Sequence, residues 1–337
     1  MYEWTLAKYD KSKPQLKFTC PKCGYVKRFV RYNNSMTGEF LAEHIGKCDR
    51  ETSCGYHAKP KEYFLDNPET AKQYKQVFAR RTQFQIPEPV PTSYFNFKEV
   101  KATLGRYEIN PFIIWLKKID VPAQELHRII KRYYIGTAKY CGGSVVFWQI
   151  DSSGNTRAGK IILYNPDTGK RVRNININWT HILYQKQDFN LKQCLFGIHL
   201  TSLEINNHIA IVESEKTAII CDIFLKELFP NFTWVATGGI GNLSEDKLST
   251  VKDRKIWLFP DTGAFTKWKA KETELKNKGY DIAILDFIEL NADENDRKQG
   301  YDLADYLLKS TLQKYRPNLF TIKPIEPTTK PAMDAVD

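Results

Sequence analysis

Two cysteine pairs near the N-terminus constrain this chain more than any other feature. Cys20-Pro21-Lys22-Cys23-Gly24 sets two thiols three positions apart with a glycine behind them. That spacing lets both sulfurs meet one ion. The glycine permits the tight turn that aims backbone N–H groups at the sulfurs. Cys48 and Cys54, followed by Gly55, form the second pair. Four thiolates suit tetrahedral Zn²⁺ in a closed, structural site. The pairs are far enough apart for a β-hairpin to join two knuckles, which predicts a zinc ribbon over residues 1–66. The second knuckle is loose, with five residues between its cysteines, which leaves His57, ahead of His44, as a substitute ligand. The other three cysteines, Cys141, Cys194 and Cys221, stand alone in apolar stretches and read as buried small hydrophobes. In the ribbon, Lys22, Lys27, Arg28 and Arg31 alternate with Tyr25, Phe29 and Tyr32. Charge interleaved with stacking surface suits single-stranded nucleic acid, though a solvated hairpin face reads the same way.

The remaining length allows one or two further domains in a chain of 337 residues. Ile86 to Thr92 is proline-rich and predicts an extended linker, preceded by a helix over Asn67–Arg81 with Pro68 near its start. Residues 67–92 are therefore a connector. Residues 93–208 mix helical spacing (Asn110–Lys118, Ala123–Arg132) with an antiparallel pair, Ser144–Ile150 and Ala158–Tyr164. From Ile209 the pattern alternates strictly between strand and helix up to residue 312, which predicts a parallel sheet with helices on its faces. Residues 313–337 are rich in proline and threonine and read as a loose tail. A short helical turn is expected at Phe40–Ile45.

Charge divides along the same lines. The net charge of +11 is made of +6 over residues 1–90, +8 over 91–208 and −3 over 209–337. The first two-thirds suit a polyanionic partner, and the last third has carboxylates to spare. An aromatic content of 13% excludes disorder along the whole length, and no apolar run is long enough for a membrane span. An intracellular, cytoplasmic protein is expected.

The carboxylates fall at telling places. Ile211-Val212-Glu213 ends the first strand of the alternating block, and Leu258-Phe259-Pro260-Asp261 ends the third. Ligands of parallel α/β sheets gather beyond the carboxyl ends of strands. Asp302 and Asp305 open the last helix, where acidic side chains also serve as caps. Several carboxylates on one edge repel unless a cation neutralises them, so a Mg²⁺ or Mn²⁺ site is the economical reading. Lys216, one turn after Glu213, can hold a phosphate or be a solvated helix lysine. The glycine loop Thr237–Gly241 can approach a phosphate closely.

These residues carry a resemblance. Ile211 to Ala218 (IVESEKTA), Ala236 to Gly239 (ATGG), Phe259-Pro260-Asp261 and Gly300 to Leu307 (GYDLADYL) resemble a toprim domain, the fold shared by DnaG-type primases, topoisomerases and some nucleases. Val146 to Asp151, Tyr164 to Arg171 and Asn190-Leu191-Lys192 before Leu195-Phe196-Gly197 are similar to the preceding half of a DnaG-type primase core. The resemblance implies an α/β toprim domain over 209–312, an α+β primase-core subdomain over 93–208 and a small zinc β-ribbon. It implies Glu213 as the catalytic glutamate, Asp261 as the first aspartate of a DxD motif, and Asp302 and Asp305 as later acidic ligands, with Mg²⁺ or Mn²⁺ held by Glu213, Asp261 and Asp302. Lys170, Arg171, Arg173 and Lys192 would hold template or nucleotide phosphates. Single-stranded DNA and nucleoside triphosphates are the implied partners, with a replicative helicase as a further one. The compact length looks like primase-like proteins of mobile elements and phages.

Two positions depart from the toprim pattern. Gly263 stands where the second DxD aspartate belongs, and Ser214 stands where a glycine usually follows the glutamate. Asp286, after the next strand, is a substitute for the missing carboxylate. The expected function is metal-dependent synthesis of short primers on single-stranded DNA. Its rivals are a catalytically silent toprim protein that binds DNA or recruits partners, and a toprim nuclease.

Overall fold

The computed structural model describes residues 4–7, 17–35, 37–51, 53–72 and 90–309. The chain divides into two compact units, Met1–Pro89 and Val90–Asp337.

In the first unit, strands β1 (Trp4–Leu6), β2 (Phe29–Asn34), β3 (Gly46–Cys48) and β4 (His57–Ala58) pair antiparallel in that order. Gly46 is required where β3 crosses β2, since a Cβ there would lie 2.2 Å from the Val30 carbonyl oxygen. The helix Pro60–Asp66 starts on its proline, and Glu62 reaches back to accept from the Lys59 N–H at 3.0 Å. No helix forms at Phe40–Ile45, where only a single turn closes, from the Ile45 N–H to the Ala42 carbonyl at 3.4 Å. Phe40 bridges Asn33 instead, and the Leu41 N–H donates to the Tyr32 carbonyl, because the strand edge offers these groups partners. Residues 68–72 are helical. The rest of the expected Asn67–Arg81 helix, most of the linker and nearly all of the tail lie outside the described residues.

The second unit opens with helices Phe97–Lys101, Pro111–Lys118 and Ala123–Arg132. The asparagine before the second of these caps it, accepting from the Phe112 N–H at 3.1 Å. An antiparallel sheet follows in the order β5 (Gly136–Thr137), β6 (Val145–Ile150), β7 (Thr156–Ile162), β8 (Asn178–Trp179). β7 starts two residues before the expected Ala158, because the Asp151–Asn155 turn closes early and Thr156 pairs directly with Ile150.

Then come β9 (His208–Val212), helix Glu215–Leu225, β10 (Phe232–Ala236), β11 (Ile256–Leu258), helix Phe265–Lys276 and β12 (Ile282–Ile284). The four strands are parallel in the order β10-β9-β11-β12. Side-chain alternation sends Ala210, Val212, Trp234 and Ala236 into the core beneath helices Glu215–Leu225 and Leu303–Leu308. Ile209, Ile211, Val235 and Leu258 enter the opposite core with Trp268 of helix Phe265–Lys276. Burial on both faces is why these strands read as nearly unbroken apolar runs. Helix Ala123–Arg132 is tied to helix Glu215–Leu225 by charge: Arg128 and Arg132 both bond the buried Asp222, at 2.6 and 2.7 Å. Of the three isolated cysteines, Cys221 is buried and Cys194 half-buried, but Cys141 is exposed, in a left-handed conformation before Gly142 and Gly143. Among the described residues no helix is long and apolar enough to cross a membrane.

Candidate functional site

The ribbon brings Cys20, Cys23, Cys48 and Cys54 together, with all four sulfurs within 4.8 Å of one another. Cys20 and Cys54 are 3.7 Å apart, Cys23 and Cys48 4.0 Å. Zn–S bonds of about 2.3 Å at tetrahedral angles need S···S separations of ~3.8 Å, so the donor set fits zinc. The Tyr25 N–H lowers the Cys23 thiol to about 6, while burial pushes Cys48 up to about 12. Arg50 and Tyr56 N–H groups meet Cys48 and Cys54 in the same manner. The longer second knuckle closes because the Cys54 and Gly55 N–H groups both return to the Arg50 carbonyl. Neither histidine joins. His57 Nε2 bonds Tyr32 Oη at 2.9 Å, and the His44 ring lies beside Tyr63. Of the ribbon aromatics, Phe29 is fully buried and Tyr32 is turned to His57. Tyr25 is exposed, with the Arg50 guanidinium stacked 3.8 Å from its ring centroid.

The second candidate site lies at the carboxyl ends of the parallel strands. Glu213 follows β9, and its carbonyl is held by the Gly238 N–H at 2.8 Å. The glycine loop thus fixes the glutamate's backbone and does not offer that N–H to a phosphate. Ser214 has its own reason to replace glycine. Its Oγ caps helix Glu215–Leu225 by accepting from the Thr217 N–H at 3.1 Å. Thr217 Oγ1 in turn donates to Asp302 Oδ2 at 2.5 Å. Asp302 and Asp305 form a reciprocal cap on helix Leu303–Leu308, each accepting from the other's N–H, at 2.9 and 3.2 Å. Both oxygens of Asp302 are therefore engaged.

Asp261 is different. Its Oδ1 is sealed from solvent and has no hydrogen-bond partner. Burial first, then Asp302, Glu213 and Asp305, push its pKa well above the usual carboxylate range, and Lys216 opposes them. Lys216 sits among these acids, 3.5 Å from Asp305 Oδ1 and 5.8 Å from the Trp115 ring centroid. Burial would pull its pKa down, but Asp302, Asp305 and Asp261 more than offset that and raise it. Asp286 is exposed and is not among the groups acting on Asp261. Gly263 has φ +76°, is exposed, and a Cβ there would meet nothing within 4 Å. Among the described residues only the four cysteines bring three or more ligand atoms within 4.8 Å. The carboxylates do not form such a group among themselves, and Asp261 Oδ1 is the one of their oxygens that is sealed and unpaired.

Beside this cluster opens a cleft of about 400 Å³, lined by Lys160, Arg171, Glu213, Lys216, Gly238 and Gly239 among others. Arg171 is placed by the Asn165–Gly169 turn. Asn165 Oδ1 accepts from the Asp167 and Thr168 N–H groups, and Gly169 packs so closely on Trp115 that a Cβ would lie 2.1 Å away. Lys170 and Arg173 are exposed and are not cleft-lining residues. Lys192 lies elsewhere, 3.3 Å from Asp246 in a separate hollow with Asp151 and Arg157.

Sequence reasoning passed over Lys160 and Glu215. Lys160 Nζ bonds both Glu215 oxygens, at 2.9 and 3.0 Å, and the Gly238 carbonyl at 3.1 Å. This buried pair joins β7 to helix Glu215–Leu225 and the glycine loop at the cleft. A lysine within the apolar strand Ala158–Tyr164 was the available signal. Lys160→Met leaves Glu215 buried and unpaired and should cost about 3 kcal/mol. Thermal melts check this. The single variant should melt at least ~6 °C below wild type, and Lys160→Met with Glu215→Leu should recover most of the loss. Equal melting of wild type and the single variant would contradict the pair's role.

Two family models match the chain. One is described as a domain of unknown function, DUF6371, over residues 110–262, and the other as a zinc beta-ribbon finger, over residues 2–69. No curated protein matches the sequence. Similar solved structures include the primase fragment of the bacteriophage T7 primase-helicase protein, 14% identical, with a TM-score of 0.37, covering 84% of this chain and 98% of that one. The RNA polymerase domain of Mycobacterium tuberculosis primase DnaG is 11% identical, TM-score 0.42, covering 66% and 80%. The zinc-binding and RNA polymerase domains of Aquifex aeolicus primase are 13% identical, TM-score 0.35, covering 88% and 79%.

Proposed function

We propose that this chain is a metal-dependent nucleotidyltransferase of the primase class, making short primers on single-stranded DNA. The observation that carries the reading is the buried, unpartnered Asp261 oxygen at a strand end, among three further carboxylates and beside a cleft lined by Lys160, Arg171 and Lys216. A sealed, unpaired carboxylate oxygen beside basic groups at the carboxyl edge of a parallel sheet suits a cation and a phosphate ester together. The motif resemblance of residues 211–218 and 300–307 supports the same reading.

Glu213 and Asp261 would hold the divalent ion, and Asp302 and Asp305 shape its surroundings. When bound, the ion supplies charge for the triphosphate and activation of the attacking hydroxyl. Arg171 on the rim is placed for phosphate oxygens, with Lys170, Arg173 and Lys192 as outlying contacts to template or nucleotide. The ribbon, through Tyr25, Arg50, Lys22 and Lys27, would grip single-stranded template. Replication of a phage or mobile element in the cytoplasm, with a replicative helicase, is the setting this implies.

Gly263 favours a second reading, in which the site is silent and the protein acts by binding DNA. Product length separates the readings. Labelled nucleotides, Mg²⁺ and single-stranded DNA should give short labelled products. Shortening of the template would establish a nuclease, and DNA binding without either product would establish the binding module.

A further inference from the structure

The geometry points to a site that takes one divalent ion, with the Lys216 ammonium standing where a second cation would otherwise sit. This rests on the reading of Glu213 and Asp261 as a metal-holding pair.

Two observations carry it. The first is the division of the carboxylates. Asp302 and Asp305 are satisfied without an ion: their oxygens take each other's N–H groups, Thr217 Oγ1 and Lys216 Nζ. Asp261 Oδ1 is buried with no partner, so an unmet demand for a cation is found there. The second is the place of Lys216 itself. Its ammonium is fixed between Asp305 and the Trp115 face, on a side chain only 12% exposed. A buried ammonium there is held by charge and by the ring quadrupole together. A second divalent ion beside it would meet a fixed like charge at close range, and Gly263 supplies no carboxylate to hold that ion. One cluster thus holds a fixed ammonium and has no carboxylate at position 263. Lys216 is a positioning and charge-balancing residue in this account, in place of the phosphate contact its sequence position suggests.

Manganese binding tests it. The zinc-loaded full chain is titrated with Mn²⁺, and the free-ion electron paramagnetic resonance signal gives the number of tight sites. One Mn²⁺ per chain is expected, falling to none in Asp261→Asn. Lys216→Met should bind two, because Asp302 and Asp305 lose their cation, while Lys216→Arg keeps the charge and should bind one. Two ions in wild type, or one in a folded Lys216→Met, overturns the inference and leaves the primase reading standing. No tight Mn²⁺ in wild type overturns the metal site itself and this inference with it. Where Lys216→Met does not fold, Lys216→Gln removes the same charge and carries the same expectation of two ions, and one ion in folded Lys216→Gln overturns the inference.

Discussion

Asp261→Asn is expected to abolish primer synthesis, by ~10³-fold or more, while raising the melting temperature of the metal-free protein by about 2–4 °C. The two effects have one cause. Asp261 has one oxygen sealed from solvent next to Asp302, Glu213 and Asp305, and all of these oppose its ionisation. Folding without a divalent ion must therefore either hold a disfavoured charge there or take up a proton, and both cost stability near neutral pH. Asparagine keeps the shape and removes the charge, so about 1 kcal/mol of stability should return. The same change removes the one sealed, unpartnered oxygen of the cluster as an anionic ligand. Added Mg²⁺ should then raise the melting temperature of wild type and leave the variant unmoved. Thermal melts with and without Mg²⁺ check the stability half, and nucleotide incorporation checks the activity half. A variant that melts lower and responds to Mg²⁺ as wild type does would sink the assignment of Asp261.

The second large effect concerns zinc. The buried core of the ribbon is Cys20, Phe29 and Cys48, with Phe18, Cys23, Cys54 and Tyr56 packed against them. Four of those seven residues are the cysteines, which would add little apolar burial without a metal to order them. Structural zinc contributes apparent binding energies on the order of 10–16 kcal/mol, far above what so small a core supplies. Cys20→Ser, or a strong chelator, should unfold residues 17–66 while the unit from Val90 onward stays folded. Limited proteolysis should cut within the ribbon and leave a protected fragment from about residue 90, with one zinc released per chain. A ribbon that stays resistant after zinc is stripped would show that the cysteines do not depend on metal.

The legible parts of this molecule are those whose partners are close in sequence or fixed by period. The first knuckle and the alternating strands are of this kind. Asp302 shows the limit. A helix start opened by two acids fits a cap and a metal ligand equally, and only the Thr217 hydroxyl, 85 residues away, shows how its second oxygen is used. Lys160 was hidden for a related reason. In a strand buried on both faces, alternation no longer marks the solvent side, and its partner Glu215 is 55 residues distant. Cys141 was misread because an apolar neighbourhood does not reveal a run of left-handed residues that turns its side chain outward. Lys216 lies beside Asp305 and lines the cleft, and its neighbours could not be read from spacing. Its carboxylates come from the far end of the chain.

The most direct measurement is nucleotide incorporation on single-stranded DNA, comparing wild type with Glu213→Gln. Both proteins should bind the DNA equally. Wild type should extend labelled primers only when Mg²⁺ or Mn²⁺ is present, and Glu213→Gln should make none. Equal product from both proteins, or none from wild type with DNA binding intact, would contradict a catalytic site at the carboxyl ends of β9 and β11.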